Sequence, residues 1–168
     1  EQVQTASVLA QAMALTDLMP ADGVLGQLHF DRITSPILDA HAMATPVAVA
    51  RLSGNLLVAD HHNNRVVGYA AGQDGVISDE ASIVIGQLDF MSNDFEGIHA
   101  NLQISPQKLA TDASERLYVA SDYSGIWRIF VYDNPFTHDS VHEYELLDLP
   151  AQVSAMGSIA PDRFVVAG

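Results

Sequence analysis

The chain has 168 residues, 48% of them hydrophobic, and a formal net charge of −14. That length and apolar content suffice for one buried core. The acidity argues against nucleic acid, whose phosphates need a basic surface to displace counterions, and against an anionic membrane face. Cysteine is absent, which excludes a disulfide framework, a thiolate metal site and a thiol nucleophile. Lys108 is the only lysine, and the acids are spread along the chain, as suits a soluble protein in a salty or extracellular setting. No apolar run approaches the ~20 residues of a spanning helix. Glu1 rather than methionine at the first position fits either removal of a leader or an excised segment. The expected compartment is extracellular or periplasmic.

In chain order, the first stretch with a local preference is Ala6 to Met19. It is rich in Ala, Leu and Met, and Val8, Ala12, Leu15 and Met19 fall at helical spacing. Propensity alone predicts a helix there. The repeat described below predicts a strand at Ser7-Val8-Leu9-Ala10 instead, and repeat architecture overrides propensity. Strands are expected next near Val47–Arg51, Asn55–Asp60, Arg65–Ala70 and Ser82–Leu88, punctuated by Ser53-Gly54, Ala71-Gly72 and Asp74-Gly75. Asp60-His61-His62-Asn63-Asn64 supplies the tight turn between the second and third, because Asn and Asp tolerate left-handed backbone. A second set is expected near Lys108–Asp112, Arg116–Ser121, Ile126–Tyr132 and Glu143–Leu149, with Asp133-Asn134-Pro135 ending the third strand.

These sets are copies. GVLGQLHF (Gly23 to Phe30) returns as IVIGQLDF (Ile83 to Phe90), and Thr45-Pro46 returns as Ser105-Pro106, each after 60 residues. GNLLVAD (Gly54 to Asp60) returns as ERLYVAS (Glu115 to Ser121), with Val58 and Val119 61 apart, and again as DRFVVAG (Asp162 to Gly168), with Val166 47 further on. Four short strands every ~40–60 residues is the pattern of a β-propeller blade. Ala48, Ala50 and Ala110 fall on first strands, as an innermost strand between crowded sheets requires. The expected fold is all-β: a propeller of four-stranded antiparallel blades, with three blade equivalents making half of a ring of about six. The expected boundaries are a split blade (1–30 plus 153–168), a blade over 45–90 and a blade over 105–150.

Pro106-Gln107-Lys108-Leu109-Ala110-Thr111-Asp112, Asn55-Leu56-Leu57-Val58-Ala59-Asp60 and Asn63-Asn64-Arg65-Val66 together resemble the NHL repeat. The Leu-Gly-Gln-x-x-Phe element is similar to that of a bacterial branch of the NHL-repeat β-propellers. The resemblance spans most of the chain, while the third copy is degenerate and lacks the Gly-Gln-Leu element. It implies a propeller scaffold that serves binding in some members and catalysis in others. Among six-bladed relatives, peptide-amidating lyases and lactonase-like enzymes hold calcium or zinc over the central channel.

Asp60 and Arg65 flank the hairpin turn and are expected to form a partly exposed structural ion pair. Ser121 and Ile126 stand at the matching positions, so acid and base are lost together, as expected of a pair rather than of an anion-binding arginine. Strand order puts His41, His61, His62 and His99 at one end of the blades. The connection Met91 to Asn101 adds Asp94, Glu96 and Asn101, which carry hard oxygen donors. With Asn63, these residues make the expected ligand-binding face. No spaced zinc motif is present, and adjacent His61 and His62 cannot both face one metal in regular structure. Trp127 and Tyr132 are expected on one face of their strand and Phe130 on the other, as packing rather than as a ligand platform. Neither a catalytic triad nor a phosphate loop is legible.

The expected function is a non-catalytic binding or assembly module for a protein, peptide or glycan. It needs no cofactor and is completed as a homodimer or by another propeller half. The alternative is a metal-dependent lyase or lactone/ester hydrolase with calcium or zinc at the channel mouth.

Overall fold

A computed structural model describes residues 23–27, 38–93, 105–123, 125–136, 144–149, 153–160 and 163–167. The stretch Ala6 to Met19 lies outside them. Within the described residues the protein is all-β, apart from one turn of 3-10 helix at His61–Asn63. The strands are β1 (Pro46–Leu52), β2 (Asn55–Asp60), β3 (Arg65–Tyr69), β4 (Ile83–Ile85), β5 (Pro106–Thr111), β6 (Leu117–Tyr123), β7 (Ile126–Tyr132), β8 (Tyr144–Leu149), β9 (Ala155–Ala160) and β10 (Arg163–Ala167). They form two four-stranded antiparallel sheets, β1-β2-β3-β4 and β5-β6-β7-β8, and a two-stranded sheet, β9-β10. The described strands do not close into a barrel or a complete ring.

Local chemistry explains where strands stop. Ser53 (φ 50°) and Gly54 (φ 86°) both take positive φ, the requirement of the tight hairpin turn that joins β1 to β2. Asn64 sits in the left-handed region (φ 51°) and closes the short helical turn between β2 and β3. β4 is only Ile83–Ile85, shorter than expected, because Gly86 turns to φ 91° and removes the next residues from the ladder. β6 runs on to Tyr123, beyond the expected end at Ser121, and pairs Tyr123 with Ile126 across a shorter connection.

The repeat shifts map onto equivalent pairings. Val49 lies opposite Val58, Leu109 opposite Val119, and Met156 opposite Val166. The first two units also share a bulge next to their proline, between Pro46 and Ala48 and between Pro106 and Lys108. First strands neighbour one another: β1 packs on β5, and β5 on β9.

The two-residue alternation of each strand divides the apolar side chains between opposite faces. One face of the first sheet gives Leu52, Leu57, Ala59, Val66 and Ile85 to a cluster with Leu109, Leu117, Val119, Phe130 and Tyr132 of the second. The other face of the second sheet gives Ala110, Tyr118, Ala120, Trp127, Ile129 and Val131 to a cluster with Val153 and Met156. The aromatic assignment is therefore corrected: Phe130 and Tyr132, two residues apart, share a face, and Trp127 points the other way. Gly68 is required where the sheets meet. A Cβ there would lie 2.8 Å from Phe136 Cζ and 2.7 Å from Ile83 Cδ1. At the margin of this interface, Thr111 Oγ1 donates to the Arg51 carbonyl at 2.9 Å, and Ser53 Oγ donates to the Glu115 carboxylate.

Candidate functional site

The end of the sheets where β2 leaves and β3 enters is organised by Asp60. Its Oδ1 accepts from the backbone N–H groups of Ala44 (2.9 Å) and Thr45 (3.1 Å). Its Oδ2 accepts from Asn63 Nδ2 (2.7 Å) and Arg65 Nε (3.1 Å). The guanidinium spends its remaining reach on backbone: Nη1 donates to Phe90 O (2.7 Å), and Nη2 to Ala42 O (2.6 Å) and Asp39 O (3.2 Å). Both side chains of the pair are 0% exposed. The expectation of a partly exposed pair is corrected. The hairpin turns back over the pair while residues 39–45 and Phe90 pack around it, so water is excluded and every contact is charge-assisted. An arginine so occupied has no fork left for an external anion.

The Gly-Gln element belongs to the same device. Gln87 Nε2 donates to Asn64 O at 3.1 Å, and Phe90, at the end of the element, supplies the carbonyl that Arg65 holds. In the second unit Ser121 stands in place of Asp60, and Arg128 lies opposite it as Arg65 lies opposite Asp60. The expected joint loss with Ile126 is therefore corrected: the longer β6–β7 hairpin shifts the register, and only the acid is lost. YELLDLP stands in place of IVIGQLD. There a side-chain tie runs from Ser105 N–H to Ser121 Oγ at 2.7 Å, the counterpart of Thr45 N–H to Asp60. The main-chain tie is kept in both: His61 N–H donates to Thr45 O at 3.0 Å and Asp122 N–H to Ser105 O at 3.2 Å.

The structure brings His41, His61, His62 and Asn63 to this end. Asn63 is buried against Asp60 and serves the turn. His61 is half-buried between the two sheets, its Nδ1 3.4 Å from Ser105 Oγ and 3.3 Å from Gln107 Nε2. His62 is exposed and shares a hydrogen bond of 2.7 Å between its Nδ1 and Thr45 Oγ1. The two rings lie 5.2 Å apart, tilted by 39°, each engaged by a different partner. His41 is half-buried, its N–H bound by Asp39 Oδ1 at 2.8 Å. Asp94, Glu96, His99 and Asn101 lie outside the described residues. Among the described residues, no three His, Cys, Asp or Glu side chains gather as metal ligands would.

Asp39, Gln107 and Tyr69 escaped the sequence reading. Asp39 caps the backbone of His41 and Ala42, an Asx pattern legible only once a turn is known to lie there. Tyr69 shares the Arg65 face of β3, fully buried. Burial pushes its hydroxyl up to about 12, opposed by the nearby Arg65 charge and helped by Asp60 and Asp39. Tyr132 is pushed up by burial as well. Both raise the cost of ionisation in the folded chain, while unfolded tyrosine ionises near ~10. Below about pH 10 neither group makes stability pH-dependent. Above it the unfolded chain sheds protons that the folded chain keeps, and stability falls by about 1.4 kcal/mol per pH unit per tyrosine. Of the five tyrosines, at least these two should ionise only with unfolding when tyrosinate absorbance is followed alongside far-ultraviolet circular dichroism. Ionisation of all five in the folded state near ~pH 10 would contradict their burial.

No family model and no curated protein sequence matches this chain.

Proposed function

We propose that the three units are blades of an NHL-type β-propeller acting as a non-catalytic binding or assembly module for a protein, peptide or glycan, with further blades completing the ring. The observation that carries this reading is the side-by-side placement of β1, β5 and β9 with the sheets stacked face to face, in the register the repeat requires. A propeller places its first strands around the axis in this way. The loops at the Asp60 end are tied through their backbone to the buried Asp60 and Arg65 side chains by charged hydrogen bonds, which supports His41, His61 and His62.

The test is binding to peptide and glycan arrays by the intact chain, followed by calorimetry on the hits. His41→Ala with His62→Ala should weaken binding, whereas Asp74→Ala, in the exposed connection at the opposite end, should leave it unchanged. Melting curves with calcium, with zinc and with chelator should coincide, since an ion held by the folded state would raise the melting temperature. Binding lost only in Asp74→Ala, or a metal-dependent rise in stability with ester or lactone turnover, would overturn the reading.

A further inference from the structure

On each first strand, alternate side chains face the following and the preceding unit. Ala50, Ala110 and Gly157 hold one equivalent position, opposite Leu57, Tyr118 and Val165 respectively. Val49, Leu109 and Met156 hold the other. Ala50 and Leu109 share the cluster between the first and second sheets; Ala110 and Met156 share the cluster between the second sheet and β9. Twice, then, a small residue facing forward is matched with a large one facing back. Two members of the series are left over. Val49 is 66% exposed, whereas its counterpart Leu109 is 9% exposed. At Gly157 an added Cβ would meet nothing within 4 Å.

We propose that these are the two halves of one interface, with the Gly157 face of β9 in one copy docking on the Val49 face of β1 in a second. The reciprocal contact closes a two-fold dimer. The layer beside the first sheet supports this occupant. Leu25, Ala40, Met43 and Phe90 cover that face over β2 and β3, but over β1 it is open, with Val47 also exposed. Gly23 to Gln27, the counterpart of Ile83 to Gln87, already lies there, with Gly26 bridged to Ala42. An outer element is thus in place and an inner strand pair is lacking among the described residues. β9-β10 is an inner pair, and among the described residues no outer strand lies beside β10. One chain carries both complementary parts, which favours a second copy over an unrelated partner. Each contact is head to tail, and two of them related by a two-fold axis leave no open sheet face. Two copies of three units give about six blades, within the range of four to eight that closes. The inference rests on the propeller reading.

The absence of cysteine makes cross-linking clean. Val49→Cys and Gly157→Cys chains, each folded and mixed after purification, are treated with a short bis-maleimide. The expected result is a cross-link between unlike chains, weak or none within either single variant, and a wild-type mass by light scattering of twice 18.1 kDa. A folded monomer at micromolar concentration, or cross-links between like chains only, would overturn the dimer. The methyl contact between Ala50 and Leu109 within a chain reads the stacking separately. Its presence without the unlike cross-link removes the dimer alone, and its absence removes the propeller reading beneath it.

Discussion

Asp60→Ala is expected to destabilise the protein by about 3–5 kcal/mol, the cost of leaving one partner of a fully buried ion pair uncompensated. The loss goes beyond one salt bridge. Arg65 keeps its charge in a site without water, and the N–H groups of Ala44 and Thr45 and the amide of Asn63 lose their acceptor at the same moment. Arg65→Ala should fall in the same range, since it strands the carboxylate and frees the carbonyls of Ala42 and Phe90. Because each single change already breaks the shared network, the double variant should cost well under the sum of the two. Asp60→Asn separates charge from shape. It keeps an oxygen for the loop but turns an amide donor toward Asn63 Nδ2 and Arg65 Nε, so it too should destabilise. Urea denaturation of the four chains measures this. Single costs near the ~1 kcal/mol of a surface pair would show that water reaches the site.

Phe130→Ala is the second large effect, expected at about 3–5 kcal/mol. The ring is buried in the cluster between the two four-stranded sheets, so its removal leaves a cavity between layers that cannot close without shifting one sheet. Ile126→Ala, at the exposed start of the same strand, should change stability by no more than about 0.5 kcal/mol. Equal costs for the two would contradict the burial of Phe130 between the sheets.

Much of the fold was legible because the repeat shows itself in short words. GNLLVAD and ERLYVAS predicted the second strands, and the shifts of 60 and 61 between copies reappear as equivalent cross-strand partners. Strand ends were harder. β4 stops at Ile85 because of the backbone turn at Gly86, and β6 continues because Ser121 does not hold the turn as Asp60 does. Apolar periodicity carries neither fact. The Asp60–Arg65 pairing was legible from the placing of acid and base on either side of the turn. The joint loss read for the second copy was not, because Arg128 stands opposite Ser121 there, and neither was the burial of the pair. Burial depends on residues 39–45 and on Phe90 folding over the pair, contacts that lie far from it in sequence. The link from Gln87 to Asn64 explains the repeated Gly-Gln word in retrospect: the glutamine is a brace for the hairpin, spaced by the length of β3 and its return strand. The candidate ligand face was legible only in part. Strand order brings His41, His61 and His62 to one end, while the partners of the His61 and His62 rings, Thr45, Ser105 and Gln107, come from two different units.

The most direct test of the stacked repeat is a map of methyl-to-methyl nuclear Overhauser contacts in the native chain. The structure predicts cross-peaks between Ala50 and Leu109 and between Ala110 and Met156, joining each unit to the next through its first strand. Cross-peaks within each sheet, with none between these pairs, would contradict the stacked arrangement and with it the propeller.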